Sequence, residues 1–197
     1  MEDRWADFAD ALESSDSKQV NDVIDEINDM SLDERFRLLD TCFDDLTHIY
    51  ANSDDGYVRQ AVVRTVDKLW FGFPMVAAVE SDDRTVGFET EDVRNWTDTL
   101  CGFLLEALID EDGRVRNATK RALKEIFRTY DLLGDEETIQ TLAVELDEMA
   151  AEYSGKRQKH LLEMKEEATF YLQSDFGQLM RNMQEQFGDS LDSGGGS

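Results

Sequence analysis

No run of apolar residues in this 197-residue chain reaches the roughly 18 that a membrane-spanning helix requires. The longest, Trp70 to Val79, has ten residues and is broken by Gly72 and by Pro74, the only proline. Membrane insertion is therefore not expected. No basic stretch followed by an apolar one opens the sequence, so a cytoplasmic location is expected. Cysteine is scarce: Cys42 and Cys101 each lie among apolar residues at helical spacing, which predicts buried small hydrophobes rather than a disulfide, and there is no Cys-x-x-Cys pair. The two histidines, His48 and His160, are 112 positions apart with no HExxH or other ligand spacing around them, so no metal is expected. The glycines are isolated or terminal and form no Walker or GxGxxG loop, and no cofactor or small-molecule substrate is implied.

Positive charge is also in short supply: 45 acidic residues face 20 basic ones, giving a net charge of −25. A disordered acidic tail, a nucleic-acid mimic and adaptation to a salt-rich cytoplasm all produce such acidity. The acids run from Glu2 to Asp192 and are interleaved with apolar residues at helical spacing, which removes the first of these. Aspartate outnumbers glutamate and arginine outnumbers lysine, a bias similar to that of halophile proteomes, where molar salt screens self-repulsion. A 41% apolar content is enough for a packed core.

What the chain does have is apolar residues recurring at three and four almost throughout, the signature of amphipathic helices, and the fold class expected is all-α. Helices are predicted over 3–13, 17–29, 32–52, 56–71, 91–109, 113–130, 135–153 and 156–173. Ser31-x-x-Glu34 reads as a capping box opening the third, and Asp54 or Asp55 as the N-cap of the fourth. Residues 72–90 interrupt this pattern with two short β-favouring pieces around Ser81-Asp82-Asp83-Arg84, a small hairpin or a packed loop. Phe176, Leu179, Met180, Met183 and Phe187 mark one more amphipathic helix over 174–188, which either caps the last helices or binds a groove elsewhere. The Gly-Ser end, 189–197, has no reason to order.

Sliding the chain along itself places Asp54–Leu69 on Glu111–Ile126 at an offset of 57. Asp55, Gly56, Val58, Arg59, Ala61 and Arg64 coincide with Asp112, Gly113, Val115, Arg116, Ala118 and Arg121. This Asp-x-x-Val-Arg-x-x-Ala pattern at the start of the second helix of a hairpin resembles the HEAT and HEAT-like repeat families. The resemblance implies a short α-solenoid over 1–173: repeat units at 32–71 and 91–130, the insertion 72–90 between them, and capping hairpins at 3–29 and 135–173. Family repeats run to about 40–47 residues, and the insertion accounts for most of the excess in the 57. The valine and alanine would face the shared core, and Arg59 and Arg116 would pair with neighbouring aspartates to link repeats.

Some HEAT-like proteins are enzymes, and their chemistry has residue requirements. The di-iron hydroxylases use His-Glu pairs, and no His-Glu dipeptide occurs here. Nothing specifies the tetrapyrrole site of the phycobilin lyases or the aromatic and acidic cleft of the alkylpurine DNA glycosylases. The reading is a non-catalytic adaptor or scaffold. Its positive charges are clustered: thirteen of the twenty fall on three helices that are second in their hairpins. The resemblance puts those helices on the concave surface, where Arg64, Lys68, Arg114, Lys120, Arg121, Lys124 and Arg128 would recruit an acidic protein. The other reading is internal pairing, for instance Arg121 with Glu125. Nucleic acid is a weaker partner, because molar salt removes the gain from counterion release. A second candidate surface is the apolar stretch Trp70, Phe71, Phe73 and Met75, which either docks a partner or folds back onto the body.

Overall fold

The computed structural model describes residues 2–73 and 90–173. They form eight helices, with no strand among the described residues: α1 (Glu2–Glu13), α2 (Ser17–Asp29), α3 (Leu32–Asn52), α4 (Gly56–Trp70), α5 (Thr90–Leu108), α6 (Gly113–Leu132), α7 (Glu136–Glu152) and α8 (Gly155–Gln173). The body of the insertion, the 174–188 helix and the 189–197 tail lie outside the described residues.

Local chemistry sets the helix boundaries. Ser31 caps α3 with the full reciprocal box: its Oγ accepts the Glu34 amide at 3.3 Å and the Glu34 carboxylate accepts the Ser31 amide at 2.9 Å. The N-caps of α2, α4 and α6 are Asp16, Asp55 and Asp112, and each accepts the amide two residues on, at 2.8, 2.8 and 2.7 Å. Between the two cap candidates for α4, the structure selects Asp55. The caps of α3 and α7, Ser31 and Asp135, take the amide three residues on instead. Within the α3–α4 pair the two helices are thus begun by different devices. At the end of α6, Gly134 turns left-handed (φ 71), and the Asp135 and Gly134 amides return to the Tyr130 and Asp131 carbonyls, a Schellman closure.

Consecutive helices pack as pairs, α1 with α2, α3 with α4, α5 with α6 and α7 with α8, and the second helices also pack in chain order, α2 on α4, α4 on α6 and α6 on α8. α4 and α6 are consequently buried on more than one side, which is why Val62, Val63, Leu69, Val115, Leu123 and Phe127 are fully enclosed. Among the first helices, α3 and α5 meet through rings: Phe43 stands edge-on to Trp96 and Phe103, and Tyr50 edge-on to Phe103, with centroids 5.2–5.9 Å apart. Among the described residues, no helix is long and apolar enough to cross a membrane.

Both cysteines are buried free thiols, as their spacing predicts. Burial, reinforced by the charge of Asp45, pushes the Cys42 thiol up to about 12, and burial beside Glu145 does the same for Cys101. An unfolded chain releases these protons near pH 9, so the folded state holds them longer and loses stability as the pH rises through that window. The expected loss is up to about 1.4 kcal/mol per pH unit for each thiol. Thermal melts between pH 8 and 11 should therefore show a falling Tm that is partly flattened in a Cys42→Ala, Cys101→Ala double variant. A slope identical in the two proteins would contradict the placement.

Candidate functional site

The two Val-Arg arms tie one helix pair to the next. On α4, Arg59 donates through Nη1 to the Ser53 carbonyl (2.8 Å) and through Nε and Nη2 to both oxygens of Asp110 (2.8 and 3.1 Å), in the loop between α5 and α6. Asp110 also accepts the Tyr50 hydroxyl and the Asp112 amide, both at 2.7 Å. Burial opposes the charge on Asp110, yet Arg59, the Asp112 amide and Tyr50 together hold its carboxyl below the usual range. On α6, Arg116 makes the equivalent backward bond, Nη1 to the Asp110 carbonyl six residues upstream (2.5 Å), and adds the Glu111 carbonyl at 2.8 Å. Its forward contact differs from the expected aspartate: Nε donates to His160 Nδ1 on α8 at 3.2 Å. Burial, together with Lys120 and Arg116, lowers the His160 pKa, so the neutral ring can accept.

Along the row of second helices, most of the basic side chains expected to face a partner meet protein instead. Arg64 donates to the Asn21 side chain on α2 at 2.8 Å. Arg121 reaches Asp67 on α4 at 3.1 Å, not Glu125. Lys120 and Lys124 each lie 2.7 Å from a carboxylate on α8, Glu163 and Glu167. Arg114 folds onto its own cap, Asp112, holding that carboxyl down to about 2. Arg128 sits 3.9 Å from Glu125, and Lys68 lies over the Phe71 ring at 5.1 Å. The Asp67 carboxyl is buried, and burial raises its pKa despite Arg121, whose side chain is 58% exposed and so a weak counter-charge. The seven cations are thus not a free basic stripe.

The apolar stretch divides. Trp70 and Phe73 fold back into the core, stacked with centroids 4.9 Å apart, because Gly72 takes a positive φ of 99° and reverses the chain between them. They offer no surface. Phe71 stays exposed, and Met75 lies outside the described residues.

Two grooves remain. One, of about 530 Å³, runs between α6 and α8. Lys120, Lys124, Glu163 and Glu167 form its neutralised rim, Met164 and Phe170 its apolar part, and Phe170 is 64% exposed. The other, of about 590 Å³, lies between α3 and α5 over the Phe43, Tyr50 and Phe103 rings, with Asp44 and Glu106 on its walls. Sequence spacing had marked these rings only as core. The charge of the two helix sets explains the contrast: α1, α3, α5 and α7 carry twenty acids and four bases, whereas α2, α4, α6 and α8 carry ten acids and fourteen bases. No family model, curated protein or solved structure matches this chain.

Proposed function

We propose that this chain is a short α-solenoid of HEAT-like hairpins acting as a non-catalytic adaptor that holds another protein on its surface in a salt-rich cytoplasm. The observation that carries the reading is the equivalence of Arg59 and Arg116. Each reaches back six residues to a loop carbonyl and forward to the following helix pair, from a helix begun by the same aspartate cap. Units joined this way build a stacked body whose exposed side is available for contact. The α6–α8 groove is the first contact surface, because an exposed phenylalanine flanked by paired lysines offers an apolar anchor, and a partner's carboxylates can share Lys120 and Lys124.

Affinity capture from the native lysate in molar KCl, comparing wild type with a Phe170→Ser, Lys124→Glu variant, tests this. A defined protein held by wild type and lost from the variant is the expected result. Retention of every partner by the variant would remove the groove from consideration. Capture of nucleic acid that is released steeply as salt rises would replace the adaptor reading with a nucleic-acid module.

A further inference from the structure

The α3–α5 groove differs from the α6–α8 groove in one respect that decides what it can hold. In the α6–α8 groove two lysines line the walls and are already paired, Lys120 with Glu163 and Lys124 with Glu167, beside Glu166. In the α3–α5 groove, Asp44 and Glu106 make no ion pair among the described residues, and no lysine or arginine lines it. Of the remaining polar lining, the Thr47 and Thr99 hydroxyls donate to the Asp44 and Asn95 carbonyls, 2.8 and 2.9 Å away, and the exposed His48 ring meets the Asn52 side-chain amide through Nδ1 at 3.2 Å. The floor is the faces and edges of Phe43, Phe103 and Tyr50, held in mutual edge-on contact. The groove therefore presents aromatic rings, lone pairs and two carboxylates with no ion pair among the described residues, and its lining holds no lysine or arginine.

We propose that this groove, on the side of the molecule formed by the first helices, docks a cationic protein segment, with arginine or lysine side chains lying over the half-buried Tyr50 and Phe103 rings and pairing with Asp44 and Glu106. The charge complementarity is local to the first-helix side, where acids outnumber bases twenty to four, and the aromatic floor supplies a contact that molar salt does not abolish. Arginine suits the site best, because its planar, weakly hydrated head stacks on a ring while donating to a carboxylate. The inference shares with the adaptor reading only that the ligand is a protein, and its test touches no residue of the α6–α8 groove.

The probe is a fluorescein-labelled, arginine-rich helical peptide on an alanine background, titrated against the full chain by fluorescence anisotropy in 0.2 M and then 2 M KCl. Asp44→Lys with Glu106→Lys should weaken binding about tenfold or more. Glu137→Lys with Glu148→Lys on α7 makes the same change in net charge at exposed positions away from the groove, and should weaken it much less. Thr99→Trp, which fills the groove without altering charge, should also abolish binding while the far-UV spectrum stays native. Equal weakening by the two charge reversals would show a diffuse polyanion effect and overturn the proposal. So would unchanged binding to Thr99→Trp.

Discussion

Replacing Asp110 with alanine is expected to destabilise the protein by about 3–5 kcal/mol, the usual result of stripping one partner from a buried ion pair. The Asp110 side chain is 6% exposed, and its two oxygens receive Arg59 twice, the Tyr50 hydroxyl and the Asp112 amide. Alanine leaves a half-buried guanidinium without its counter-charge, a phenol without its acceptor, and the loop before α6 without the bond that shapes it. For a chain of this length a loss of that size lowers Tm by roughly 6–20 °C. Arg59→Ala should cost nearly as much and the double variant little more than either, because the two groups act as one unit. Arg114→Ala, which removes an ion pair whose arginine is 55% exposed, should leave Tm close to that of wild type. The pH dependence follows from the same geometry. The Asp110 carboxyl is held below its unfolded value, so its contribution is present above about pH 4 and lost as the pH falls through the folded pKa. Urea titrations at pH 7 and pH 3 should show a difference between wild type and Asp110→Ala that shrinks at the lower pH. If Asp110→Ala proves no worse than Arg114→Ala, the inter-pair clamp is not what holds α4 to the α5–α6 loop.

How much of this was legible in the chain depends on the length scale of each interaction. Periodicity located all eight described helices, because an amphipathic stripe is a local property that tertiary packing reinforces. The capping box at Ser31 and the aspartate caps at Asp55 and Asp112 were legible for the same reason. The resemblance implied that each arginine links repeats through an aspartate, which Arg59 does at Asp110 and Arg116 does not, and neither the backward bonds to loop carbonyls nor the particular forward partners could be read from the Val-Arg spacing. Asp110 is one of 45 acids and lies 51 positions from Arg59, and His160 is 44 from Arg116 with nothing in its neighbours to mark it. A usable signal did exist: Gly113 opens α6 and Gly155 opens α8, 42 positions on. That register brings Lys120 within one position of Glu163 and Lys124 within one of Glu167, the pairs that form 43 residues apart. The sequence left the basic stripe open between partner contact and internal pairing, because counting cations on one helix face says nothing of the carboxylates on the next. Trp70 and Phe73 stayed ambiguous because burial there turns on the backbone reversal at Gly72, a conformation that sequence permits without demanding.

Gly56→Ala carries the second large effect, and it isolates the contact between helix pairs from their charge. Gly56 is the first residue of α4, where alanine is the better helix former, so a purely local view predicts a gain. A Cβ built there would meet the Asp112 side chain at 2.0 Å from Oδ2 and 2.7 Å from Cβ. The nearer atom could swing aside, but the Asp112 Cβ moves only with its backbone, and that carboxylate is the cap of α6, accepting the Arg114 amide at 2.7 Å. The clash must therefore either uncap α6 or part α4 from the α5–α6 loop and strain the Arg59 clamp. The expected loss is about 2–3 kcal/mol from overpacking and the lost cap together. Two other glycines calibrate the result. Gly113→Ala, the equivalent position in the next unit, meets nothing closer than Arg116 Nη2 at 3.4 Å and should be close to neutral. Gly102→Ala, inside α5 and facing open space, should stabilise by about 0.5–1 kcal/mol. Thermal unfolding of the three variants side by side checks the order. Should Gly56→Ala melt at or above wild type, the α4 N-terminus does not seat against Asp112, and the close approach between the two Val-Arg units would have to be abandoned.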